Sequence, residues 1–381
     1  MTTLLTGADG YVGWPTALRL ANRLDDRVVA VDDLGRRDWV EESGSVSAVP
    51  IQDVETRFAA HDGLSFVRGD LTDRAVVDQL LSVYEPDTVL HLASQPSAPY
   101  SQINGERARF TQTNNLAMNV NLLYGLKEAG LSDTHFVETT TTGIYGAPEF
   151  PIPEGGVHVE RGGGADDVPF PAMGGSWYHM SKTFDGGNLR LASKQWGQPV
   201  SEVRTAIVFG TETAETRETG LPTRFDFDFY FGTVVNRFCA QAVAGYPLTV
   251  YGRGEQRKPM VSLVDTVESL AALAERGHGG DGVEVYNQVG RPVAIVELAE
   301  TIAEVGDAFD LEVEVTHVEN PREEDETHQM EMDNDRFLGL LDGEPQSLEA
   351  GIRDVLETLV EHRDRLVAHE DRFLPAVLRE N

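Results

Sequence analysis

The chain alternates short apolar runs with longer stretches of helical period. Thr3 to Thr6 and Arg27-Val28-Val29-Ala30-Val31 are apolar runs too short for helices, and their lack of alternation marks strands buried on both faces. Further strands are expected near 65–68, 88–92, 135–140 and 200–208. Between them, Trp14 to Leu24 places Ala17, Leu18, Leu20 and Ala21 at helical spacing. Long helices are expected near 13–24, 73–84 and 106–129, with others from 176, from Phe229 to Gly245, and at 347–377. Strand and helix in turn predict a parallel sheet with right-handed crossovers. Residues 147–175, rich in Gly and Pro, read as irregular, either a lid or a surface loop. Residues 211–228 read as a substrate-side loop.

The first strand and helix are joined by Thr6-Gly7-Ala8-Asp9-Gly10-Tyr11-Val12-Gly13. Glycines there let the backbone turn sharply and let a pyrophosphate approach the free N–H groups of the helix start. Gly7, Gly10, Tyr11, Val12 and Gly13 are therefore candidate dinucleotide contacts. The second strand ends in Asp32-Asp33. Asp32 lies 19 residues past Gly13 (32 − 13), near the spacing of a carboxylate that accepts adenosine ribose hydroxyls. An acid there favours NAD over NADP, because it repels a 2′-phosphate. An ordinary glycine-rich turn would not need strand, loop, helix, strand and acid in this order.

Much later comes Ser176-Trp177-Tyr178-His179-Met180-Ser181-Lys182. Positions i and i+4 of a helix share a face. A lysine ammonium beside a phenol favours the phenolate and lowers its pKa from about 10. Tyr178 is then a candidate base for a substrate hydroxyl as hydride leaves the carbon. Thr141, where Phe136-Val137-Glu138-Thr139-Thr140-Thr141 runs into a loop, is the candidate third group on that hydroxyl. The bland alternatives are a solvated helix face and a threonine-rich strand end.

With these residues in place the chain resembles the extended short-chain dehydrogenases/reductases, the NAD-dependent nucleotide-sugar epimerases and dehydratases. Matching segments run over nearly the whole chain: Gly69-Asp70-Leu71, His91-Leu92-Ala93, Asn114-Asn115, Pro247-Leu248-Thr249-Val250-Tyr251-Gly252, Val264-Asp265 and Tyr286-Asn287. The resemblance implies an α/β fold, a Rossmann-type doubly wound parallel sheet with a smaller, discontinuous C-terminal α/β substrate lobe. It implies an NAD-binding part at 1–185 with 200–210 and 255–275, and a nucleotide-sugar lobe at 186–199, 211–254 and 276–381. Thr141, Tyr178 and Lys182 would be catalytic. Arg36, Asp70, Leu71 and Asn114 would join Tyr178 and Lys182 on the cofactor. Gln95, Thr205, Thr233, Leu248, Thr249, Arg253 and Arg322 would join Thr141 and Tyr178 on the substrate. Homodimerisation through helices near 106–129 and 176–196 is the family pattern.

Within the family, the chain resembles members that join sulfite to C6 of UDP-glucose. The shared strings include Gly10-Tyr11-Val12-Gly13-Trp14, Ser97-Ala98-Pro99-Tyr100-Ser101, Phe231-Gly232-Thr233, Asn236-Arg237-Phe238-Cys239 and Asn320-Pro321-Arg322. That implies oxidation at C4, loss of water across C5–C6, addition of sulfite at C6 and return of the hydride. His179 could be the extra acid–base group, or a structural histidine. Pro96, Ile144 and Thr205 stand where those members carry arginine, glutamate and glutamine, which points to a diverged sugar pocket. Ordinary 4,6-dehydratases place Asp-Glu after the catalytic threonine; this chain has Thr142-Gly143. A 4-epimerase needs no acid there and is the alternative. An NAD-bound sensor or structural subunit is the non-enzyme alternative, and such proteins usually lose the tyrosine or lysine.

Composition narrows the picture further. The 381 residues are 40% apolar, enough for a large core. Lys and Arg number 31 against 63 Asp and Glu, a formal net charge of −32. Only four residues are lysine: Lys127, Lys182, Lys194 and Lys258. A dispersed acidic excess with scarce lysine looks like adaptation to concentrated salt. The field disfavours nucleic acid. Lone Cys239 allows no intramolecular disulfide, and no histidine spacing suggests a metal. No apolar run reaches membrane-spanning length and no signal peptide precedes the first strand, so a cytoplasmic enzyme is expected.

Overall fold

Seven strands, each paired in parallel with its neighbours, make the central sheet: β1 (Thr2–Thr6), β2 (Arg27–Asp32), β3 (Leu64–Arg68), β4 (Thr88–His91), β5 (His135–Thr141), β6 (Val200–Thr205) and β7 (Val283–Gln288). The spatial order is β7-β6-β5-β4-β1-β2-β3. This computed structural model describes residues 1–23, 27–146, 148–170, 174–280, 282–319 and 329–375. The unbroken apolar runs have a direct cause. Leu5, Val28, Leu90 and Val137 face one helical layer, and Leu4, Val29, Val89 and Phe136 face the other. Each such side chain contributes about 1.5–3 kcal/mol on burial.

The strand order reverses between β1 and β4, and a crevice opens there at the carboxyl ends of the strands. Gly7 follows β1 and Ala93 follows β4. A Cβ on Gly7 would stand 2.7 Å from the Ala93 nitrogen, and Gly7 has φ +74°. The two loops can meet only because that position is glycine.

A second core joins the helices Val234–Ala244, Ile295–Gly306 and Leu348–Glu361, with Phe225, Phe227, Phe238, Leu298 and Leu356 inside it. It carries two small sheets. Leu248–Tyr251 pairs in parallel with Val315–Val318. Arg257–Ser262 pairs with Ile207–Phe209 on one side and Arg291–Ala294 on the other.

Several elements differ from the expectation. The strand expected at 200–208 divides at Ala206, whose N–H donates to the Gln288 carbonyl at 3.1 Å. Its first half stays in the large sheet and its second half enters the small one. Val283–Gln288, expected with the smaller lobe, is the edge of the large sheet. The helix Trp177–Trp196 runs unbroken across the expected division at 185/186. Residues 147–175 are not wholly irregular: Gly156–Arg161 and Gly164–Pro169 form an antiparallel hairpin. Its two-residue turn is Gly162-Gly163, at φ +62° and +81°, the twist that pairs strands closely and that glycine allows. Residues 211–228 contain a short helix, Ala214–Thr219.

The helix Leu348–Glu361 is locked onto the divided strand at Gly351. A Cβ there would lie 2.4 Å from the Phe209 ring. Alanine normally favours a helix over glycine by about 1 kcal/mol, but overpacking a buried contact costs about 1–3 kcal/mol. Gly351→Ala is therefore expected to lower the unfolding free energy in urea, and an increase would show that this contact has slack.

Candidate active site

The glycine loop is held from behind. Asp9 is buried, and its carboxylate accepts two bonds from Arg37, at 2.7 and 2.8 Å, and one from Arg57 at 2.5 Å. Asp32 at the end of β2 accepts from the N–H groups of Asp9 at 2.9 Å and Leu34 at 2.7 Å. Burial pushes the Asp32 carboxyl up to about 6, against those two bonds. The Tyr11 hydroxyl donates to the Gly210 carbonyl at 2.6 Å and ties the loop to the second core.

Tyr178 sits in the first turn of Trp177–Trp196. The cap is Ser176, whose hydroxyl oxygen accepts from the His179 N–H at 3.1 Å. The Tyr178 N–H donates to Ser101 Oγ at 3.2 Å. Thr141 and Thr205 are register partners at the ends of β5 and β6. Thr141 Oγ1 accepts from the Gly143 N–H at 3.2 Å. Thr205 Oγ1 is buried without a protein partner.

One cavity of about 560 Å³ gathers these groups. It is lined by Gly7, Gly10, Tyr11, Val12, Gly13, Asp32, Asp33, Arg36, Leu71, Asn114, Thr141, Tyr178, His179, Thr205, Thr233 and Thr249. Five other expected contacts lie elsewhere. Asp70 is outside the cavity, between Gly69 and Leu71, which line it; its carboxylate accepts from Thr72 at 2.8 Å. Gln95 is fully buried behind the wall, its backbone N–H bonded to Asn115. Leu248 packs into the second core, because alternation along its strand turns it away from Thr249. Arg253 is exposed and pairs with Glu255 at 3.0 Å. Lys182 lies behind the wall among carboxylates. Arg322 falls outside the described residues.

The expected lowering of the Tyr178 pKa is overturned. Burial raises the phenol above its ordinary range; Lys182 pulls it down, but Asp185 and Glu138 add to the rise. Desolvation outweighs the ammonium, and the two carboxylates oppose it. His179 is driven down to about 4, by burial first and by Lys258 second, so the ring is neutral at neutral pH. Its ring covers Gly143: a Cβ there would lie 2.4 Å from His179 Nε2.

Arg237, Gln256 and Lys258 also line the cavity and were not expected there. A signal existed for Lys258. The scarcity of lysine that marks Lys182 applies to it equally.

The residues fit a dinucleotide. Gly7 and Gly13 leave bare backbone at the crevice, Asp32 and Asp33 stand beside it, and Tyr178 and Thr141 share its cavity. The chain belongs to the NAD dependent epimerase/dehydratase family, which it matches over residues 3–288. Two curated relatives are similar along almost all of it. The chloroplastic UDP-sulfoquinovose synthase of Spinacia oleracea is 36% identical over 373 residues, 95% of this chain and 76% of that protein. The UDP-sulfoquinovose synthase of Sulfolobus acidocaldarius is 35% identical over 382 residues, 98% of this chain and 96% of that protein. Among solved structures, a UDP-glucose 4-epimerase of Thermotoga maritima superposes with a TM-score of 0.71 at 21% identity, covering 95% of this chain and 99% of that one. That likeness is one of fold.

A side chain at Gly13 would have its Cβ 2.0 Å from the Gly7 carbonyl oxygen. Gly13→Ala is expected to weaken NAD retention at least about tenfold, a change of about 1.4 kcal/mol. Quantifying NAD released from the purified, denatured protein checks it; wild-type occupancy would refute it.

Proposed function

We propose that this chain converts UDP-glucose and sulfite to UDP-6-sulfoquinovose through a 4-keto sugar. The observation that carries this is the 35–36% identity, over nearly the whole chain, to two enzymes named for that product. Bound NAD supplies the chemistry of taking up and returning one hydride. Tyr178 takes the proton of the C4 hydroxyl while Thr141 holds that hydroxyl. A ketone at C4 acidifies C5–H, so a proton leaves C5 and water leaves from C6. The sulfur of sulfite then bonds to C6, and the proton returns to C5. His179 stands at Gly143, where an ordinary dehydratase would carry its acidic pair. Being neutral, the ring can accept a proton before it donates one. Thr205 offers the sugar an unused hydroxyl.

Tyr178→Phe is expected to lower turnover of UDP-glucose with sulfite by about 10²–10⁴-fold. Mass spectrometry of products, with and without sulfite and in molar salt, is the test. UDP-galactose as the sole product would favour a 4-epimerase and overturn the assignment. The salt follows from the dispersed acidic surface, which supports a role in concentrated salt.

We infer also that two copies pair through Trp177–Trp196. Trp177, Phe184 and Leu191 recur every seven residues along one face of that helix and are 54%, 47% and 51% exposed. Val120 and Tyr124, on the packed helix Gly105–Glu128, are exposed too. Phe184→Glu with Leu191→Glu should yield a monomer by light scattering with a folded core, and a persisting dimer would place the interface elsewhere.

A further inference from the structure

Behind the Tyr178–Lys182 pair lie two acids that the proposed chemistry does not use. Glu138 is on β5, three residues before Thr141; Asp185 is on the helix, three residues after Lys182; both are 0% exposed. The Lys182 ammonium is 3.3 Å from Glu138 Oε1 and 3.4 Å from Asp185 Oδ2. Glu138 Oε2 accepts from Asn119 at 2.6 Å, and Asn119 accepts in turn from Asn188 at 3.0 Å.

The charges here do not cancel if both acids ionise. One ammonium would face two carboxylates in a place without solvent, and like charges so close push one proton back on. Among the described residues no other cation forms an ion pair with Glu138 or Asp185. Arg190 and Arg204 pair with Glu202 on β6, at 3.0 and 2.9 Å. His91 on β4 is driven towards its neutral form by burial and by Lys182. Apart from the nearby ammonium, neither Asp185 oxygen has a hydrogen-bond donor among the described residues. A Glu138 that carries a proton would be that donor.

We propose that Glu138 and Asp185 share a single proton and act as positioning residues, holding Lys182 charged and setting how readily Tyr178 ionises. This deepens the proposed function and rests on its Tyr178–Lys182 pair. The electrostatics agree. Glu138 is raised by burial and then by Asp185. Asp185 is also raised by burial, and is held back by Lys182 first and by Glu138 next. Burial opposes the charge on Lys182, but Glu138 and Asp185 outweigh it and hold the ammonium above the ordinary lysine range. As pH rises and the shared proton leaves, a second negative charge appears beside Lys182, and ionising Tyr178 becomes harder.

The test is an ultraviolet titration of tyrosinate in the NAD-bound enzyme. Subtracting the matching Tyr178→Phe protein isolates that phenol. Glu138→Gln and Asp185→Asn should each lower its midpoint by about one pH unit, because one carboxyl can no longer ionise. Glu138→Asp should stay near the wild type. An unchanged midpoint in both Glu138→Gln and Asp185→Asn, with only thermal stability altered, would overturn the proposal and leave the acids structural. A second measurement is stability against pH. A carboxyl raised in the fold stabilises it at low pH, and that contribution is lost as pH rises through the folded-state value. Glu138→Gln should flatten this decline, and an unchanged slope would count against the shared proton. Neither readout needs turnover. Loss of the sulfonated product with the midpoint shift intact would sink the proposed reaction and keep the dyad.

Discussion

Between β1 and β4 two loops meet with no side chain between them. Gly7 lies against the backbone at Ala93, at a φ that glycine adopts freely. The contact sits where the strand order reverses, so it is also where the sheet opens. Bare N–H groups at the start of Gly13–Arg23 face that opening, and β5 and β6 end beside it. Thr141, Thr205 and Tyr178 share a cavity with the glycine loop because their elements share this end of the sheet. Arg37 and Arg57 then fix the loop from outside through Asp9. A wider residue at Gly7 would push the two halves of the sheet apart and separate the proton-transfer groups from the dinucleotide cradle.

Ionisation in this site is a contest between burial and pairing, and pairing does not always win. Spacing alone makes Lys182 a neighbour that favours the Tyr178 phenolate. The fold adds what spacing cannot show: the phenol is desolvated, and the ammonium already faces Glu138 and Asp185. The ammonium still favours the phenolate, but the two carboxylates beside it add a field of opposite sign, and burial adds to theirs. His179 obeys the same rule. The sequence leaves His179 open as an acid–base group or a structural histidine; burial first and Lys258 second leave its ring neutral at neutral pH.

What the sequence made legible follows from locality. β1, β2 and β4 were readable because both faces of each are buried and their apolar runs are continuous. The helices Gly13–Arg23, Arg74–Tyr84 and Gly105–Glu128 were readable because their apolar positions recur at helical spacing; the short helices Gly35–Glu42 and Val54–Phe58 carry no such signal. The glycine loop and the Tyr178–Lys182 pair are short-range motifs, and each lies on the cavity or directly behind it. The misses are non-local. No property of residues 283–288 says that they pair with Val200–Thr205 rather than within the smaller lobe. The division at Ala206 depends on a bond to Gln288, 82 residues away (288 − 206). Gln95, Leu248 and Arg253 were assigned by motif, but the side on which a side chain emerges is set by strand alternation and packing. The hairpin at 156–169 was missed, although paired glycines between short runs are a turn signal as well as a sign of irregularity.

The charge of the chain poses a further constraint on any anionic substrate. A net charge of −32 repels a nucleotide diphosphate and sulfite alike. Yet Arg36, Arg237 and Lys258 line the cavity that holds Tyr178 and the glycine loop. The Arg36 guanidinium lies 3.9 Å over the Phe231 ring, bonds Asp226 at 2.6 Å and keeps one buried nitrogen without a protein partner. The two fields act over different ranges. At about 1 M salt the Debye length is roughly 3 Å, so repulsion from the surface acids fades within a few ångströms of the protein. Contacts inside a desolvated cavity are screened far less. Concentrated salt therefore removes the obstacle while sparing the attraction, and an acidic exterior becomes compatible with a cavity built for anions.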